Sequence, residues 1–112
     1  MTAYVGIGLH RRRSLAVCLD DRGDRLWWRR FDNSPQMLAG VVSEAGPDVV
    51  VVMEATWGWY WAADVLADEG VEVHLAHPLG IKGFENRRVK NDLQDAEMLA
   101  NLLRLGSLPE SW

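Results

Sequence analysis

Asp92 and Asp95 stand three residues apart at the head of Asp92–Leu105, a segment whose leucines and alanines recur at helical spacing. Residues i and i+3 share one face of a helix, so the two carboxylates address one spot. A third acid, Glu54, follows the apolar run Val49-Val50-Val51-Val52-Met53. An acid at the carboxyl end of a buried strand lies where open α/β sheets carry their sites. Carboxylates converging from a strand end and a helix suit a divalent cation. Magnesium takes oxygen ligands in near-octahedral geometry, and paired ions activate an attacking oxygen while stabilising the leaving one. The competing explanation for Asp92 and Asp95 is that acids favour a helix N-terminus for its dipole. That explanation does not extend to Glu54.

Three basic blocks accompany the acids: Arg11-Arg12-Arg13, Arg29-Arg30, and Arg87-Arg88 with Lys90. The last immediately precedes Asp92. A basic loop beside a metal site neutralises phosphates flanking the one under attack. Arg87, Arg88, Lys90, Arg11 and Arg12 are therefore the candidate nucleic-acid contacts. Each block taken singly also fits a solvated surface face. The formal net charge of −4 gives no support to binding by bulk electrostatics alone.

The elements that must position these groups follow from periodicity and turn chemistry. Tyr4–Leu9 alternates as a strand, Leu15–Leu19 forms a second, and Arg25–Phe31 a third after the Asp20–Asp24 turn, in which Gly23 supplies a left-handed backbone. Ser34-Pro35 opens a helix as N-cap and first helical residue, and Gly46-Pro47 closes it. Val49–Met53 is a strand buried on both faces. Thr56 is the expected cap of a helix from Trp57 to about Asp68, ended by Gly70. Val71–Ala76 is the fifth strand, and the last helix begins near Asn91 or Asp92 and stops at Gly106. The order is β-β-β-α-β-α-β-α, which predicts an α/β fold with a mixed five-stranded sheet and helices on its faces. That is the order of the ribonuclease H-like fold.

The motifs resemble one family closely. Val5-Gly6-Ile7-Gly8-Leu9-His10, Val52-Met53-Glu54-Ala55-Thr56, His74-Leu75-Ala76-His77-Pro78, Arg88-Val89-Lys90-Asn91-Asp92-Leu93-Gln94-Asp95-Ala96 and the closing Leu103-Arg104-Leu105-Gly106-Ser107-Leu108-Pro109 are similar to the N-terminal domain of DEDD transposases of the insertion-sequence-110 family, related to the Piv and MooV DNA invertases. The resemblance implies a RuvC-like, ribonuclease H-type domain with an Asp-Glu-Asp-Asp tetrad that holds Mg2+ or Mn2+. Carried over by position, Glu54, Asp92 and Asp95 are its second, third and fourth members. The first belongs on strand one, where this chain has Gly8. Glycine offers no side-chain ligand, so one metal position is expected to be weakened. Asp20, Asp21 and Asp24 lie beyond the next strand and are not expected to substitute.

The resemblance further implies DNA as substrate, a structured guide RNA, a homo-oligomer, and a second, serine-bearing domain. The 112 residues are expected to form only the single RuvC-like domain, without that second one, and to be inactive or impaired alone. A non-catalytic nucleic-acid-binding or oligomerisation remnant is the alternative, and a stand-alone junction nuclease of the same fold is a third class.

The remaining features are quieter. Cys18 is the only cysteine, which rules out an intramolecular disulfide and fits a reducing cytoplasm. No secretory signal is visible at the N-terminus, and no apolar run reaches the roughly 18 to 20 residues of a membrane span. Of the six tryptophans, Trp57 and Trp61 are spaced to share a helix face, and one of Trp27 and Trp28 should face outward from an edge strand. Their competing assignments are base stacking, an interface anchor and plain core packing. His10 is expected at the surface. His74 and His77 do not have zinc spacing.

Overall fold

The computed structural model describes residues 1–56, 58–78 and 91–110. Five strands, β1 (Ala3–Gly8), β2 (Arg13–Leu19), β3 (Arg25–Asp32), β4 (Val49–Glu54) and β5 (Glu72–Ala76), form one sheet in the order β3-β2-β1-β4-β5. The first three make an antiparallel meander, while β4 and β5 add in parallel to β1. The mixed sheet expected from the element order is thus observed. Because β1 and β4 run parallel in the register Ile7↔Met53, Gly8 and Glu54 finish at the same end of the sheet.

Alternation along the strands sorts their side chains between two layers. Val5, Ile7, Ala16, Cys18, Val51 and Met53 pack with Leu38 of α1 (Pro35–Ser43) and with Ala62 and Leu66 of α2 (Tyr60–Asp68). On the opposite face, α3 (Asp92–Arg104) lays Ala96, Leu99, Ala100 and Leu102 over Leu15, Val17, Leu19 and Val52. Gly6 belongs to that second face. A Cβ placed there would lie 2.0 Å from the Ala96 carbonyl oxygen and 3.0 Å from the Ala100 nitrogen. The helix therefore rests on the bare backbone of β1, which sets the height of its first turn above the sheet.

Helix boundaries follow the capping rules with one exception. Ser34 accepts from the Met37 N–H, with Pro35 at the first turn, and Asn91 accepts from the Gln94 N–H. The second helix starts at Tyr60, not Trp57, and has no side-chain cap. Gly58 takes φ +90°, and the Trp59 N–H donates to the Thr56 carbonyl oxygen. A turn thus stands where the sequence pattern predicts the first helical turn. Trp57 lies outside the described residues. Trp61 and Trp59 pack against the core, Trp59 stacking on Tyr60 at 4.0 Å. On edge strand β3, Trp28 is 43% exposed while Trp27 is half-buried under the Arg29 guanidinium. One tryptophan does face outward, as expected.

Candidate metal and nucleic-acid site

Glu54 ends β4 on the same face as Val52, which is the face covered by α3. Asp92 and Asp95 open α3 directly above that strand end, with Asn91 fixing the first turn. The three acids and Gly8, His10 and Thr56 line one cleft of about 120 Å³. The sheet register and the helix-on-glycine contact therefore bring together the residues picked from sequence spacing. A larger cleft of about 340 Å³ lies at the other end of β4, among Ala39, Val42, Leu66 and Val71. Its lining is mostly aliphatic and offers no comparable group of acids.

Gly8 presents its bare Cα to the cleft. A Cβ there would meet only His10 Nε2 at 3.8 Å and the Leu15 carbonyl oxygen at 4.0 Å, which are ordinary contacts. Space for a side chain exists, and it points toward the imidazole. His10 Nε2 in turn stands 3.2 Å from Asp92 Oδ1. Sequence reasoning placed His10 at the surface; it is half exposed, but its ring leans into the acidic cleft. Eighty-two positions separate it from Asp92, and the only signal in the sequence was its place two residues after Gly8 in the strand-one motif.

The oxygen donors have the hard chemistry that magnesium or manganese takes. Their arrangement, however, falls short of a cage. Among the described residues, no three of His, Cys, Asp or Glu stand close enough together to hold an ion. Of the four positions implied by the sequence motifs, Glu54, Asp92 and Asp95 bring carboxylates to the lining of this cleft, and Gly8 brings no side-chain ligand.

Arg11 and Arg12 are exposed in the β1–β2 turn, at the sheet end that carries the cleft. Arg13 pairs with Asp32 at 3.5 Å. Arg87, Arg88 and Lys90 lie outside the described residues. His74 is held between Glu72 (2.6 Å) and Glu110 (2.5 Å), away from the acidic cleft. Cys18 is fully buried, and burial together with the Asp20 charge pushes its thiol pKa up to about 11. Among the described residues, no helix is long and apolar enough to cross a membrane.

Comparison with solved structures gives the same architecture. Thermus thermophilus RuvC in complex with a Holliday junction substrate superposes with a TM-score of 0.67 at 14% identity, covering 99% of this chain and 100% of that one. A second structure of Thermus thermophilus RuvC gives 0.64 at 15% identity over 97% and 99%. The large terminase nuclease of the thermophilic phage G20c gives 0.58 at 19% identity, over 95% of this chain and 56% of the nuclease. The fold is therefore RuvC-like, of the ribonuclease H type. Among curated proteins none matches the chain. A family model of the insertion-sequence-110 DEDD type, described as a transposase, matches residues 5–111. With nearly its whole length matched, the chain belongs to the DEDD transposases of the insertion-sequence-110 family.

Proposed function

We propose that this chain is the phosphodiester-processing domain of a DNA transposase, with Glu54, Asp92 and Asp95 as its metal-holding carboxylates and an activity weakened by Gly8. The observation that carries this reading is the convergence of the three acids on one cleft at the carboxyl end of β4, within a RuvC-like fold. A bound Mg2+ or Mn2+ would supply charge neutralisation at a scissile phosphate. The protein's own part is to hold the acids on a strand end and a helix, and to guide the DNA backbone with Arg11 and Arg12. Arg87, Arg88 and Lys90 join them in this reading by their sequence position alone. DNA is the substrate class, in keeping with the family and with the junction bound by the RuvC neighbour. A guide RNA, a homo-oligomer and a serine-bearing second domain belong to the same proposal.

Cleavage of duplex and four-way-junction DNA in Mg2+ or Mn2+ tests it. The parent should cut weakly, Gly8→Asp should cut faster, and Glu54→Gln, Asp92→Asn or Asp95→Asn should abolish cutting. Equal cutting by all three acid variants and the parent would remove the carboxylates from the mechanism. The glycine at position 8 favours a second reading, a non-catalytic nucleic-acid-binding remnant. In that case Arg11→Ala with Arg12→Ala weakens DNA binding, while Gly8→Asp gains no cleavage.

A further inference from the structure

The two arginines of the Arg29-Arg30 block on β3 have different fates. Arg29 faces α1, where its guanidinium lies over the Trp27 ring at 5.3 Å and pairs with Glu44 at 3.3 Å. Arg30 points to the opposite face of the sheet. Its guanidinium makes no hydrogen bond or ion pair among the described residues. That face is the one on which α3 packs over β1, β2 and β4. The helix reaches the start of β3, where Arg25 pairs with Glu97 at 2.8 Å. Further along, Trp28 and Arg30 stand exposed, opposite Val17 and Leu15 of β2.

Sheet register ties this strip to the cleft. Ile7 is level with Met53, Gly8 with Leu15, and Leu15 with Arg30. Glu54, Gly8, Leu15 and Arg30 therefore form one row across the sheet on a single face. Two strand spacings of about 4.8 Å put the Arg30 backbone about 10 Å from Gly8. The Asn33 N–H donates to the Arg12 carbonyl oxygen at 2.8 Å, so exposed Arg12 flanks the same row. Asp32, the acid on this face of β3, is occupied by Arg13 at 3.5 Å. Beyond the acidic cleft the sheet surface thus becomes cationic and aromatic.

We infer that the uncovered face of β3 carries an unpaired flank of the DNA as it leaves the cleft, with Arg30 on a phosphate and Trp28 stacked on a base. The inference rests on the proposed reading of the cleft as the DNA-processing site and adds a preference for substrates single-stranded on that side. It requires no bound ion. An unpartnered guanidinium matches phosphate geometry, and an exposed indole stacks on the face of any base that is not already stacked in a duplex. A second copy of this chain is the poorer occupant. Three of the eight residues of β3 are arginine, so joining two β3 edges would set like charges against one another.

Fluorescence anisotropy of a labelled single-stranded DNA oligonucleotide and of its blunt duplex, titrated with the whole chain in EDTA over a salt series, tests this apart from cleavage. The parent should bind the single strand more tightly than the duplex. Trp28→Ala should weaken single-strand binding about fivefold or more and leave the duplex within about twofold, while Trp28→Phe keeps most of the affinity. Arg30→Ala should weaken both and lower the single-strand salt slope by about 0.7. Arg29→Ala removes the same charge from the opposite face and should leave that slope unchanged. Single-strand binding unaffected by Trp28→Ala, or equal slopes for Arg29→Ala and Arg30→Ala, overturns the inference. So does an RNA strand of the same sequence that binds more tightly than the DNA through these two residues, which would assign the face to RNA. Sedimentation showing that Trp28→Ala abolishes self-association at unchanged DNA affinity would assign it to a second copy. If Arg11→Ala with Arg12→Ala weakens binding while Trp28→Ala and Arg30→Ala do not, the DNA reading of the cleft stands and the β3 path falls. If none of these variants weakens binding, both fall. Trp28 and Arg30 are exposed, so their removal leaves the core intact, and circular dichroism of each variant checks that.

Discussion

Replacing Gly6 by alanine should damage this protein more than any other single added methyl group on β1. The new Cβ would sit 2.0 Å from the Ala96 carbonyl oxygen and 3.0 Å from the Ala100 nitrogen. Ordinary carbon–oxygen contacts stand at about 3.3 to 3.6 Å, so α3 or β1 must retreat by about 1.3 Å. Both obstructing groups are backbone, and no rotamer change relieves them. Retreat also opens the layer in which Ala96 and Ala100 meet Leu15, Val17 and Leu19, and gaps of that size forfeit much of the dispersion contact. Overpacking costs about 1 to 3 kcal/mol, and the backbone-on-backbone geometry puts Gly6→Ala at about 3 kcal/mol. A domain of this kind is stable by about 5 to 15 kcal/mol, so the loss is large, and at about 4 °C per kcal/mol it lowers Tm by about 12 °C. Gly8→Ala is the matched control, two residues along on the same face. Its Cβ would meet nothing nearer than 3.8 Å, and its backbone is not in the positive-φ region. The reduced freedom of the unfolded chain should stabilise it by about 0.4 to 1 kcal/mol. Urea denaturation followed by tryptophan fluorescence, comparing midpoints at constant slope, separates the two. Equal midpoints for the two variants, or a parental midpoint for Gly6→Ala, would falsify the close-approach argument.

Three further outcomes follow from individual sites. Gly8→Asp adds a carboxylate beside Asp92, so without metal its Tm should fall, and it should then rise with Mg2+ concentration more steeply than that of the parent, as ligand linkage requires; a thermal-shift titration with identical slopes for both proteins counts against the site. For His74, burial pulls the pKa down, but the hydrogen bonds and charges of Glu72 and Glu110 outweigh it and leave the pKa raised above the ordinary 6.5. The folded state thus holds the proton more tightly. This contribution is full below the unfolded pKa and is lost as pH rises through the folded one, so stability should decline as pH rises past the ordinary 6.5, and more in the parent than in His74→Gln. A pH series of urea midpoints that does not differ between the two proteins refutes that assignment. The Cys18 thiol, at about 11 and fully buried, should resist iodoacetamide at pH 8 until the protein unfolds; prompt labelling of the native protein, measured by mass spectrometry, would show that the strand opens locally.

The His74 contacts also show why one part of the structure was hard to read from the chain. His74 and Glu110 are joined across 36 positions, and the segment around Pro109 docks on β5 through the His77 N–H and an isolated bridge between Ala76 and Glu110. No periodicity announces such a contact. Local chemistry, by contrast, was legible. Ser34-Pro35 and Asn91 carry their caps within three residues, and the five strands announce themselves by alternation or by the valine run. The start of α2 was misplaced because Thr56 has the right type for a cap. The chain instead turns at Gly58, whose φ of +90° ends any helix that would begin before it.

The amino-acid sequence by itself determined the order of elements, the three acids and the absence of a side chain at position 8. Those are properties of residue type and short-range spacing, and local physics suffices to place them on a strand end and a helix start. The tertiary structure decided how they meet. Parallel pairing of β1 with β4 brought Gly8 level with Glu54, and the bare backbone of Gly6 let α3 settle low enough to deliver Asp92 and Asp95 to the same cleft. It also turned a histidine that local reasoning assigned to the surface toward Asp92, because the Ser14 and Asn33 side chains that hold the His10 backbone come from β2 and from the residue that follows β3. Contacts between residues so distant in sequence exist only once the sheet has formed.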